Sequence, residues 1–367
     1  MRLSDIKEKL ISKADETYGK LEIDEKTEKL KSKVNYDENS VKVKEGFSKF
    51  KRNRKKIAAI VIVSILVFFI AVELVSVPVL YSMVLKKGGG EFLNRREVPQ
   101  ESTDWLKEVC GKELSDSDVF TESTDGVKLH GIYVKNKNFS GSYIIMCHPY
   151  GATAEYMAHY AKHYYDLGFN ILLADARGHG KSGGDFIGMG WVDRFDIISW
   201  VSFLDEKDKD ARIVIHGLGM GGAAALAASG EVLPDSVRVI INDSGYSSVN
   251  ELFKFQLKEN FSLPSFPILK LMAFYTEKKA GWSFDEADFL GAVQRSETPT
   301  LFIHGGCDER VPLKQGNVLY DACEAKKRQV VMTSANFGQC EQNSPDKYWG
   351  EIDRFLLNNL GQISGKN

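Results

Sequence analysis

Ile213-Val-Ile-His-Gly-Leu-Gly-Met-Gly-Gly-Ala-Ala-Ala-Leu226 is the stretch that decides the fold of this chain. An apolar run of strand length enters a tight turn made largely of glycine, and the turn opens a helix of small residues. Turns of this kind place one backbone position at the carboxyl end of a parallel strand, where open α/β folds bind their ligands. Gly219 holds that position. Further apolar runs lie at 143–147, 170–174, 212–216, 237–241, 300–304 and 329–332, and 127–134 alternates like an early antiparallel strand. Helical stretches separate most of them, which predicts a largely parallel sheet covered on both faces.

Outward from this core, the chain divides. Residues 1–56 carry 17 Lys/Arg against 11 Asp/Glu, and Leu3, Ile6, Leu10, Ala14, Tyr18 and Leu21 recur at helical spacing, so a charged amphipathic tail is expected. Residues 57–85 are almost wholly apolar apart from Glu73 and Pro78. About 20 apolar residues cross a bilayer, and the segment lies too far from the start for a cleaved leader, so it reads as a transmembrane signal anchor. Lys49, Lys51, Arg52, Arg54, Lys55 and Lys56 precede it, and only Lys86 and Lys87 follow closely. That bias predicts a single-pass protein of the cell membrane with a cytoplasmic N-terminus and an outward-facing globular domain. Residues 86–117 are then a juxtamembrane linker beginning at Gly88-Gly-Gly90, and 118–362 are the globular domain. Within it, 248–297 is too long for a simple crossover. Its aromatics, Phe253, Phe255, Phe261, Phe266, Phe274 and Tyr275, suit a lid over an apolar pocket.

Composition narrows the function classes. Beyond residue 56, acidic residues outnumber basic ones 39 to 31, which disfavours nucleic acid as a partner. Cys110, Cys147, Cys307, Cys323 and Cys340 are scattered with no C-x-x-C pair, so neither a zinc site nor a redox motif is expected. No metal or cofactor is called for by these patterns.

The order of several turns resembles the α/β-hydrolase family, closest to its membrane-anchored bacterial serine hydrolases related to the aminopeptidase and lysophospholipase branches. The resemblance covers roughly 118–360. His148-Pro-Tyr-Gly151 is similar to that family's oxyanion loop, Asp175-Ala-Arg-Gly-His-Gly-Lys-Ser-Gly183 to its D-x-R-G-x-G-x-S segment, and His304-Gly-Gly-Cys-Asp-Glu-Arg-Val-Pro312 to the strand end carrying the triad acid. By resemblance, Asp308 takes the acid position, and the N–H groups of Tyr150 and Met220 form an oxyanion pocket. Gly219 takes the nucleophile position of the G-x-S-x-G elbow.

A serine nucleophile needs a histidine to take its proton and a carboxylate to orient that histidine. In this fold the histidine follows the acid in the chain. The seven histidines are His130, His148, His159, His163, His179, His216 and His304, and none lies after Asp308. By resemblance, Phe337 stands at the histidine position. The expected function is therefore a catalytically degenerate hydrolase-fold protein that binds an acyl, peptide or lipid-like ligand, or a partner protein. Two alternatives stay open. An active hydrolase could use a substitute nucleophile, with Ser244, Cys147, Cys307 and Cys340 as candidates. Gly217-Leu-Gly-Met-Gly-Gly222 also matches G-x-G-x-x-G, with Asp243 placed like a ribose-binding acid.

Overall fold

The computed structural model describes residues 38–89, 96–111 and 114–360. The described residues fall into two compact units that divide between Val72 and Glu73. The amphipathic helix expected over 1–34 lies outside the described residues.

In chain order the elements are α1 (Glu38–Val84), α2 (Gln100–Cys110), β1 (Asp118–Glu122), β2 (Lys128–Val134), β3 (Ser142–Cys147), α3 (Ala158–Asp166), β4 (Asn170–Ala174), α4 (Asp193–Lys207), β5 (Arg212–Leu218), α5 (Met220–Ser229), β6 (Val237–Asp243), α6 (Val249–Phe261), α7 (Ile268–Ala280), α8 (Phe289–Arg295), β7 (Thr300–Gly305), α9 (Leu313–Ala322), β8 (Lys327–Met332) and α10 (Pro345–Leu360). The strands form one sheet in the order β1-β2-β4-β3-β5-β6-β7-β8. β1, β2 and β4 pair antiparallel, and every other pairing is parallel. This is the α/β-hydrolase fold, with β5 and its elbow near the middle of the sheet.

Two cores hold the sheet, one on each face, because strand side chains alternate. Tyr143, Ile145, Ile213 and Ile215 join Trp200, Ala223 and Phe289 on one face. Ile144, Met146, Val214 and Val239 join Leu106, Tyr164 and Phe355 on the other. Helices α4, α5 and α8 supply the first face, and α2, α3 and α10 the second.

The structure redraws three expected boundaries. The globular unit begins well before 118: Val77, Tyr81 and Leu85 are buried in its core, so the last part of the 57–85 stretch belongs to it. The 86–117 interval is not a plain linker either, since Trp105 and Leu106 of α2 pack into the second core. The lid is shorter than 248–297, because α8 packs on α5 as part of the fold: a Cβ on Gly230 would meet Ala292. Within that interval, α6 and α7 line the cavity above Gly219. For the anchor itself, no helix among the described residues is long and apolar enough to cross a membrane. The side chains at 65–66, 68–71 and 73–74, inside the expected anchor, lie outside the described residues.

Candidate functional site

Gly219 sits at the top of β5 with φ +57° and ψ −110°, a left-handed conformation that side chains enter only with strain. Its amide donates to the Asp243 carbonyl at 2.8 Å, and its carbonyl accepts from Ala223, which fixes the turn between β6 and α5. Gly221 allows the close approach behind it: a Cβ there would fall onto the Cys147 carbonyl. The strand–turn–helix geometry is the one expected of an elbow, and Gly219 brings no side chain to its tip.

Phe337 fills the space. A Cβ built on Gly219 would lie 2.5 Å from Cζ and 3.0 Å from Cε2 of the Phe337 ring, and 3.6 Å from Cβ of Pro149. Thus the structure brings together the expected nucleophile and histidine positions, and neither bears a group that can attack or accept a proton.

Asp308, the expected acid, lies just beyond the end of β7. Its Oδ1 accepts from the amides of Arg310 and Val311, both at 2.8 Å. Its Oδ2 is buried with no hydrogen-bond partner. His304 Nε2 lies 3.6 Å from that oxygen but donates to the Val311 carbonyl at 2.8 Å. Burial pushes the Asp308 carboxyl above the usual carboxylate range.

Tyr150 and Met220 both line the large cavity above the elbow. Met220 opens α5, where first-turn amides have no acceptor within the helix. The Tyr150 amide meets no backbone acceptor among the described residues. Both donors therefore remain available at a helix N-terminus, which favours negative charge. The Tyr150 hydroxyl turns the other way and donates to the Val84 carbonyl at 2.8 Å, tying the oxyanion loop to the end of α1.

The cavity encloses about 590 Å³, within the range of about 300–1,000 Å³ usual for small-molecule sites. Leu80, Met83 and Val84 of α1 form one wall, and Leu252, Leu257 and Met272 of the lid form another. Phe253 and the exposed Phe261 also line it, whereas Phe266 and Phe274 are exposed and do not. Residues that sequence reasoning missed stand at its charged end: Arg96 and Arg310, with guanidinium carbons 4.7 Å and 5.8 Å from the centroid of the Phe337 ring. No motif marks Arg96. Its amide donates to the Gly151 carbonyl, which holds it beside the oxyanion loop.

None of the substitute nucleophiles lines this cavity. Ser244 is fully buried and donates to Asp243 Oδ1 at 2.9 Å. Cys147 is buried beneath the elbow, and burial pushes its thiol up to about 12. Cys340 is buried in the second core, and burial likewise raises its thiol well above normal. Cys307 is exposed, with its thiol 3.3 Å from the Thr333 carbonyl. The buried thiols of Cys147 and Cys340, held neutral, are poor nucleophiles.

Nor does the glycine pattern serve a dinucleotide. Asp243 is fully buried and accepts from the Tyr348 hydroxyl at 2.9 Å as well as from Ser244, so no oxygen faces a ribose. A Cβ on Gly222 would meet Asn242 Oδ1 at 2.5 Å, which assigns that glycine to packing between α5 and β6. His148 also serves the backbone: its Nε2 accepts from Ala176 and its Nδ1 donates to the Pro149 carbonyl.

The uncharacterised protein YqkD of Bacillus subtilis is 28% identical over 216 residues, covering 59% of this chain and 71% of that one. An uncharacterised membrane protein of Saccharomyces cerevisiae is 25% identical, covering 64% of this chain and 76% of its own. Among solved structures, the esterase Pf2001 of Pyrococcus furiosus superposes with a TM-score of 0.57 at 23% identity, over 72% of this chain and 98% of the esterase. At that identity the likeness concerns the fold. The model of the prolyl oligopeptidase family matches residues 155–345, more than half of the chain, and the chain belongs to that family of α/β-hydrolase-fold proteins.

Proposed function

We propose that this chain is a membrane-tethered ligand-binding protein built on a hydrolase scaffold, with the chemistry of the elbow lost and its pocket kept. The ligand is of acyl, peptide or lipid-like character. The observation carrying this reading is the Phe337 ring, packed where a nucleophile's side chain at position 219 would stand. A hydrolase needs that space for an activated oxygen; a binding pocket does not. The cavity and the amides of Tyr150 and Met220 support retained binding.

The tether is residues 57–76. Residues from Val77 onward serve the domain core, and the remaining stretch still has the roughly 20 residues a bilayer crossing needs. The basic flank before it puts the N-terminus in the cytoplasm and the domain outside. The description of the yeast relative as a membrane protein supports membrane attachment.

The test is turnover of p-nitrophenyl esters and labelling by a fluorophosphonate probe, both on the purified full chain. Neither is expected. Steady turnover that survives Asp308→Ala and the blocking of all thiols would contradict a purely binding role.

A further inference from the structure

The cavity has an apolar body and one strongly basic end. Arg96 and Arg310 form no ion pair among the described residues, yet both stand within 6 Å of the same aromatic ring. The Nε of Arg96 is buried without a hydrogen-bond partner. Desolvation and then the facing charge of Arg96 lower the pKa of Arg310, so the two cations are close enough to repel. Glu309 also lines the cavity and, like Arg310, is exposed, but it pairs with neither arginine. Two guanidiniums without an ion-pair partner at the end of an apolar cavity, one half-buried (Arg96) and one exposed (Arg310), attract an anion, and their fork of N–H donors matches carboxylate or phosphate oxygens.

We propose that the cavity takes a single-chain acyl amphiphile with an anionic head, the head held between Arg96 and Arg310 over Phe337 and the chain lying along α6 and α7. This inference rests on the reading of the cavity as a binding site. A peptide fits the walls less well. Its backbone would need hydrogen-bonding partners along its length, and beyond the charged end the lid offers chiefly Gln256 and Asn260 among leucine, methionine and phenylalanine. A neutral ester would leave both guanidiniums unpaired. The amides of Tyr150 and Met220, at the same end, add donors to an anionic head.

The full chain in nanodiscs of zwitterionic lipid, photolabelled with a diazirine-bearing palmitate, tests this. Adducts mapped by mass spectrometry are expected on α6 and α7. Palmitate should compete about tenfold better than hexadecanol, as a charge-assisted head contact implies. Lysophosphatidate serves as the phosphate-headed competitor: equal or stronger competition by it also supports the anionic head and extends it to phosphate esters. Arg96→Gln with Arg310→Gln should cut labelling about tenfold, and the paired Lys variants should recover much of it; thermal unfolding of each variant reports that the fold is intact. Hexadecanol competing as well as palmitate, or a folded Gln variant labelled like the unmodified chain, would overturn the anionic subsite while leaving the binding cavity. Absence of any adduct on the cavity walls would overturn both.

Discussion

A Cβ placed on Gly219 would come within 2.5 Å of the Phe337 ring, so the residue at the elbow and the residue at the histidine position are complementary in shape. Gly219→Ala should therefore destabilise the protein for two separable reasons. Backbone strain at positive φ costs about 1–3 kcal/mol, and the ring must also move. In a Phe337→Ala background only the strain remains. A double-mutant cycle by denaturant unfolding should give a coupling of about 0.5–3 kcal/mol. Simple additivity would mean that the ring does not constrain position 219.

The Tyr150 hydroxyl links the oxyanion loop to the last turn of α1 through the Val84 carbonyl. Tyr150→Phe should cost about 0.5–1.5 kcal/mol and raise amide exchange in residues 80–87 more than elsewhere. Uniform change across the domain would deny the tether.

Asp243 is fully buried, and burial pushes its carboxyl up to about 7. A folded-state value above the unfolded one, about 3.9, favours folding in the protonated form. Its contribution is therefore complete below about pH 4 and lost as pH rises through about 7, with a slope of at most about 1.4 kcal/mol per pH unit. Unfolding free energies measured from pH 4 to 8 should fall more steeply for the unmodified chain than for Asp243→Asn. Parallel curves would place the titration elsewhere.

Cys307 is exposed, while Cys147, Cys323 and Cys340 are buried. Iodoacetamide should modify Cys307 first, and should reach the three buried thiols only after unfolding. On intact cells, a membrane-impermeant maleimide should reach the same Cys307 if the domain faces outward. Protection until lysis would reverse the proposed orientation.

Much of this was legible in the sequence for physical reasons. Strands buried on both faces, such as Ile213–Leu218, read as continuous apolar runs, and the glycine turn that follows admits few other structures. That no histidine follows Asp308 needed only a census. Other features were not legible. β1, with the sequence Asp-Val-Phe-Thr-Glu, is a short edge strand with little apolar content. Apolarity at Val77, Tyr81 and Leu85 does not tell lipid from protein, because both bury such side chains. Ser244 and Cys340 looked reactive by position along the chain, yet burial removes them from the cavity. Arg96 belongs to no motif; only folding brings it over Phe337.

The central claim is that the elbow is intact and lacks only its reactive groups. Gly219→Ser with Phe337→His puts both back while removing the ring that opposes a side chain at position 219. Esterase activity on a short p-nitrophenyl ester is predicted for the double variant alone, and lost again on adding Asp308→Asn. Activity in Gly219→Ser without the histidine, or none in a folded double variant, would contradict the placement of the elbow, Asp308 and the final loop.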